Sequence, residues 1–218
     1  MNSSLELLLN ALPQRFRGEM AIARTVNSGE EFTVFVLDAS PSMEAKDFPP
    51  TRYKAAVMAT KSYLDARLMT GCRDKVAAVV FAGYATVICK GTPIERAERD
   101  VVDRLLGAIS VGGGTNIEAG IVAAASIVRK NHEGYLRRLI VLSDGFGMID
   151  RTGENLKAEG VVIDCIGIGG SQNEVDEELL KSLATVENGT PRYRFIGDGN
   201  STELISHFRK IATDLVVA

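Results

Sequence analysis

Short runs of β-branched and aliphatic residues return along this chain. Each is followed by a stretch whose apolar residues recur every three to four positions, and no other feature narrows the fold as much. The apolar runs are Phe32–Asp38, Val76–Ala82, Ala85–Cys89, Leu139–Asp144, Val161–Gly167 and Arg192–Ile196. Between and after them lie segments of helical period. One starts near Thr51, with Tyr53, Val57, Leu64 and Leu68 on one face, after Pro49 and Pro50 have imposed an extended approach. Further helices are expected over Glu95–Ile109, Asn116–Arg129, Thr152–Glu159 and Glu174–Glu187, and at Leu204, Phe208, Ile211 and Leu215. Strands that are apolar almost throughout are buried on both faces, and strands alternating with helices make a parallel sheet covered on each side. The turn at Gly83 joins two successive strands into a hairpin, which adds one antiparallel edge strand. The expected fold is therefore α/β: a doubly wound, mostly parallel sheet with helices on both faces. Residues 1–30 lack the alternation and read as an N-terminal helical extension around Leu5–Leu12, so the domain proper is expected over residues 31–218.

Composition removes several classes of function. The chain has 218 residues, 45% of them hydrophobic, enough for a full core. Its 25 basic and 28 acidic residues leave a net charge of -3 without a basic block, so no footprint for nucleic acid is visible. The apolar patch Leu5–Leu12 carries Glu6, has no basic residue before it and lacks a small-residue cleavage site, so it makes a poor signal peptide. No run approaches the roughly 18 apolar residues of a membrane span. Cys72, Cys89 and Cys165 are odd in number and show no CxxC spacing, which suggests neither a disulfide framework nor a zinc site. A cytoplasmic location is expected from this cysteine usage.

In an open α/β sheet, ligands bind beyond the carboxyl ends of the strands. The first strand ends in Asp38, Ser40 and Ser42, the fourth ends in Ser143, Asp144 and Gly145, and the glycine loop Gly112–Gly114 presents Thr115 at a helix start. All the side-chain donors among these are hard oxygens, a set that prefers Mg²⁺, Mn²⁺ or Ca²⁺ to zinc or copper. A site of a few side-chain oxygens completed by waters is the usual arrangement for Mg²⁺. Two aspartates balance a divalent ion, and neutral hydroxyls leave it electrophilic enough to accept a carboxylate from outside.

Asp38-Ala39-Ser40-Pro41-Ser42, Thr115 in its glycine loop, and Asp144-Gly145 after a Val/Leu strand resemble the metal-ion-dependent adhesion site of the von Willebrand factor A domain family. The resemblance spans roughly residues 30–217. It implies a sheet wrapped by helices, a Mg²⁺ or Mn²⁺ ion at its top, and a partner protein whose Asp or Glu completes the coordination. By that resemblance Ser40 and Ser42 bind metal directly, Thr115 directly or through water, and Asp38 and Asp144 mainly through waters or hydrogen bonds. Within the family, SMEAKDFPPTRYKAA, KVAAVVFAG and ATVICKGT are similar to the bacterial aerotolerance (Bat-type) members associated with MoxR-type AAA+ ATPases, which implies such an ATPase as a partner. Pro41 stands where the family more often has glycine, and those relatives usually carry membrane spans that this chain lacks. The expected function is a metal-dependent protein-interaction module and not an enzyme. A Mg²⁺-dependent hydrolase and a metal-independent structural scaffold are the alternatives.

Other residues have plainer readings. Thr115 with Glu118 forms a T-x-x-E capping box that needs no metal. His132 and His207 read as surface or packing residues, and Ser143 has Val141 where a nucleophile elbow requires glycine. Neither glycine cluster fits a dinucleotide or phosphate-loop fingerprint. Arg52, in the proline-rich loop near the proposed site, is read as solvated at its helix start in preference to binding an acidic partner, and Arg137-Arg138 is expected to lie in a solvated loop. Met43, Phe48 and Phe146 are either an apolar rim or loop packing.

Overall fold

The computed structural model describes residues 29–108, 113–130 and 134–214. Strand β1 (Glu31–Asp38) is central and buried along all eight residues. It pairs in parallel with β2 (Lys75–Phe81) on one side and β4 (Leu136–Ser143) on the other. Outward from β4 come β5 (Val162–Ile168) and β8 (Tyr193–Ile196), both parallel. On the opposite edge β3 (Ala85–Pro93) pairs antiparallel with β2, giving the order β3-β2-β1-β4-β5-β8. This is the mostly parallel, doubly wound α/β sheet with one antiparallel edge strand that the alternation predicts.

Successive side chains of a strand point to opposite faces, so β1 feeds two separate cores. Phe35 and Leu37 pack with Val80, Ile140, Leu142 and Ile166 beneath α1 (Arg52–Thr70) and α7 (Ser201–Thr213). The helical stretch formed by α2 (Ile94–Ala97), a π-helical turn (Glu98–Val102) and α3 (Asp103–Gly107) completes that layer. Val34 and Val36 pack with Val79, Leu139, Val141 and Ile163 beneath α4 (Ile117–Val128), α5 (Thr152–Ala158) and α6 (Glu177–Leu183). Thr51 caps α1 by accepting from the Lys54 amide, and Gly71 closes the helix in the left-handed conformation. Among the described residues no helix is long and apolar enough to cross a membrane.

Several expectations fail, each for an identifiable reason. The predicted helix Glu174–Glu187 is only Glu177–Leu183, preceded by a 3-10 turn at Gln172–Glu174. Asp176 caps it through the Leu179 amide, and Ala184 is already extended. Val186–Glu187 (β6) then folds back on Thr190–Pro191 (β7). Asn188 and Gly189, both at positive φ, form that turn, and the Asn-Gly pair was its sequence signal.

Arg138 is not in a solvated loop. It lies inside β4 with no exposed surface, while Leu68 of α1 is exposed and Arg67 is buried in its place. Both arginines enter a buried polar network at the amino ends of the strands. Arg67 grips Asp74 at 2.6 and 2.9 Å, Arg138 lies between Glu31 and Asp164, and Arg192 binds Asp164 at 2.7 Å. Tyr63 donates to Glu31 at 2.9 Å, and Arg138 reaches the Ile211 carbonyl of α7 at 2.6 Å. The reading of Leu5–Leu12 as a helical extension falls outside the described residues. So do those of Ile109, Gly112, His132 and Leu215.

Candidate metal-binding site

The parallel register brings the carboxyl ends of β1 and β4 side by side: Leu37 pairs with Leu142, so Asp38 and Ser143 follow together. Asp38 is fully buried, and its carboxylate is held from two directions. Oδ1 accepts from the Ser40 amide at 2.8 Å, and Oδ2 accepts from the Ser143 hydroxyl at 2.6 Å. Ser143 Oγ in turn accepts from the Gly145 amide at 2.8 Å. The sequence places Ser143 at a strand end outside any nucleophile elbow; its part in fixing Asp38 follows from a pairing across 105 positions of sequence.

Past Asp38 the chain turns sharply, as the alternate spacing of its oxygens suggests. Ala39 stays tied to β2 through the Phe81 carbonyl at 2.7 Å, and Pro41–Glu44 then forms a 3-10 turn. Pro41 occupies the first turn of that helix, where its missing N–H costs nothing, so the substitution of proline for the commoner glycine is accommodated. The turn brings Ser40 Oγ and Ser42 Oγ into a shared hydrogen bond of 2.9 Å. Ser42 also lies near enough to Asp144, which follows Ser143 and is nearly buried, to favour its charged form. Asp38, Ser40, Ser42 and Asp144 therefore converge. Asp38, Ser40 and Asp144 form the floor, while Ser42 is exposed and leaves one side open to solvent.

Thr115 approaches from the other flank. Asn116 donates from its amide to the Ala82 carbonyl at the end of β2, 2.7 Å away, and Thr115 is half-buried. Among the described residues no hydrogen bond joins Thr115 to the other four. The expected capping box is not formed either: Asn116 caps α4 through the Ala119 amide, and Glu118 accepts instead from Thr152 at 2.5 Å and from the Asp150 amide at 3.1 Å. Thr115 is thus left without a capping duty. Met43 and Phe48 are buried loop packing, whereas Phe146 is 54% exposed beside the site.

Arg52 is the residue whose role sequence reading misses most. Instead of being solvated it is almost buried at the start of α1. Nε donates to both oxygens of Asp47 at 2.9 and 3.0 Å, while Nη2 donates to Asp47 at 2.6 Å and to Glu174 at 2.7 Å. Nη1 faces Asp144 at 4.0 Å. Asp47 lies only five residues before Arg52, but Glu174 lies 122 after it, and only the fold brings that pair together.

The chemistry of the donors fits a hard divalent cation. Burial pushes Asp38 up to about 6, against the lowering effect of its serine hydrogen bonds, and the neighbouring Asp144 charge raises it further. Burial raises Asp144 too, opposed by Ser42 and by the charge of Arg52. The two carboxylates share one pocket, and Arg52 reaches only Asp144, at the 4.0 Å limit of an ion pair, among the ion pairs of the described residues. The accompanying donors are hydroxyls, with no imidazole or thiolate, which is the preference of Mg²⁺, Mn²⁺ or Ca²⁺.

The sequence profile of the von Willebrand factor type A domain matches residues 33–146, which run from β1 through Asp144. The chain belongs to the von Willebrand factor type A domain family, whose members typically mediate protein–protein interactions. Among curated proteins it is similar to a UPF0353 protein of Mycolicibacterium vanbaalenii, 27% identical over 180 residues, covering 72% of this chain and 53% of that one. The chain thus spans about half the length of the curated relatives it matches.

Among solved structures, BatB from Bacteroides thetaiotaomicron superposes with a TM-score of 0.64 at 22% identity, over 83% of this chain and 99% of that one. The proximal thread matrix protein 1 of the mussel byssus, solved with a zinc-occupied MIDAS motif, gives 0.68 at 23% identity, over 86% and 47%. These structural likenesses establish the shared fold.

Proposed function

We propose that this domain is a divalent-cation-dependent protein-interaction module. Asp38, Ser40, Ser42, Thr115 and Asp144 would hold Mg²⁺, or Mn²⁺ or Ca²⁺ in its place, and the bound ion would capture an Asp or Glu of a partner protein. The observation that carries this reading is the meeting of Asp38, Ser40, Ser42 and Asp144 at the carboxyl edge of the sheet, where hydrogen bonds tie Asp38 to Ser40 and Ser40 to Ser42, Asp144 lies beside them, and Ser42 is open to solvent. A bound dication would supply an electrophilic position at which a partner carboxylate replaces water. The residues around it bind and orient. Ser143 and the Ser40 amide hold both oxygens of Asp38 in place, so the carboxylate is set before any ion arrives.

Binding rather than catalysis is the reading, because the pocket pairs its hydroxyls with carboxylates and with no general base of the imidazole type. The likeness of this chain to Bat-type sequences adds a MoxR-type AAA+ ATPase as a candidate partner, and the cysteine usage supports the cytoplasm as the compartment where the two would meet.

Calorimetric titration with Mn²⁺ tests the site. Asp38→Ala and Ser42→Ala are each expected to weaken the affinity roughly 10- to 100-fold. Unchanged affinity in both would overturn the assignment. Capture of a purified MoxR-type ATPase, with and without EDTA, tests the consequence: release by the chelator is expected, and retention would favour a metal-independent scaffold. Turnover of phosphoesters by the protein and Mg²⁺ alone would favour a hydrolase.

A further inference from the structure

The Arg52 clasp lies outside the five residues assigned to the ion, and its charge count bears on what the pocket can receive. Asp38 and Asp144 together would neutralise a dication. A few ångströms further out stand Asp47 and Glu174, two more carboxylates, with Arg52 the single cation holding both. Asp47 is partly buried and Glu174 exposed, and each is held below the usual carboxylate range chiefly by its hydrogen bond to Arg52. The guanidinium spans three loops: Asp47 follows β1, Asp144 follows β4 and Glu174 follows β5. The Asp47 backbone also leaves no room around Gly199, where an added Cβ would come within 2.1 Å of the Asp47 carbonyl oxygen. The loop is thus pressed against the β8–α7 connection.

The fork geometry explains why this position carries arginine. Nε and Nη2 are committed to Asp47 and Glu174. Nη1 makes no hydrogen bond among the described residues and is turned to Asp144. A lysine offers one point charge and cannot hold two carboxylates in fixed directions while presenting a further N–H to a third.

We propose that Arg52 is the specificity-determining residue that lets the site accept an external carboxylate. It draws Asp47 and Glu174 away from the pocket and lowers the negative charge that an incoming acidic group must meet. The clasp as it stands carries a net charge of -1, from two carboxylates and one guanidinium. Without the guanidinium it carries -2, and Asp47 and Glu174 are free to turn to the ion and occupy the place a ligand needs. This deepens the proposed function and rests on it. It also separates two affinities: losing Arg52 should favour the cation and disfavour the carboxylate, whereas a merely structural role would weaken both.

The test uses the intact chain, Mn²⁺ and acetate. Mn²⁺ affinity is read by calorimetry, and acetate binding by the fall in water-proton relaxation as the carboxylate displaces manganese-bound water. Arg52→Gln is expected to hold Mn²⁺ at least as tightly as the parent while binding acetate about tenfold more weakly, the size expected of one unit charge a few ångströms away. The triple variant Arg52→Gln/Asp47→Asn/Glu174→Gln, whose clasp is neutral, should regain the parent's acetate affinity. If Arg52→Gln lowers both affinities together or changes neither, or if the triple variant remains weak for acetate, the inference is wrong. Failure of the parent itself to bind Mn²⁺, or equal binding by Asp38→Ala, would instead overturn the metal site on which the inference rests.

Discussion

Gly145 shows how much a single residue can hold in this protein. Its φ of +84° lies in the left-handed region, and an added Cβ would come within 3.1 Å of the Asp176 carbonyl oxygen and of a Leu180 methyl group. Its amide supports Ser143, which donates to Asp38. Gly145→Ala is therefore expected to lower stability by about 1–3 kcal/mol, through a strained backbone and a crowded α6 start. A shift of the urea midpoint checks this, and an unchanged midpoint would show that the turn relaxes freely. The Asp-Gly pair was readable as a strand-end turn. Its service to a carboxylate on another strand was not, because that depends on which strands are neighbours.

Among the elements, β1 combines the clearest signal with the least legible one. Its alternation of Val34 and Val36 against Phe35 and Leu37, which feeds two cores, follows from an apolar run between helices. Glu31 at its start is fully buried, and nothing in the local pattern says so. The carboxylate is tolerated because Tyr63, Arg67 and Arg138 reach it from α1 and β4. A buried charge without a partner is costly, so desolvation dominates once one member is removed. Arg138→Met should cost about 3–5 kcal/mol, since it takes one of two cations from the buried Glu31, leaves one oxygen of Asp164 without its ion pair and releases the Ile211 carbonyl of α7. Arg138→Met combined with Glu31→Gln should recover part of the loss; chemical denaturation of both variants decides this. Arg137-Arg138 looks solvated because a pair of arginines usually is. Only Arg137 stays at the surface, donating to the Glu159 carbonyl.

For the whole molecule, the candidate site predicts that ion binding and folding are linked. A ligand that binds only the folded state at a hundred times its dissociation constant adds about 2.7 kcal/mol of stability. Saturating Mg²⁺ or Mn²⁺ should therefore raise the unfolding temperature, EDTA should reverse the rise, and Asp38→Ala should abolish it; a melting curve indifferent to the metal would count against the site. The amino-acid sequence by itself determined the class of fold, because periods of two and of about 3.6 are local properties that burial imposes on any strand or helix. It also determined the character of the pocket, because oxygen donors sit at strand ends whatever the neighbouring strands are. Only the tertiary structure decided that Ser143 steadies Asp38, that Arg52 gathers Asp47 and Glu174, and that Arg67 and Arg138 are buried. Each of these is a contact between charged or polar groups on different elements, and such groups leave no periodic trace along the chain because their partners can lie at any distance in sequence.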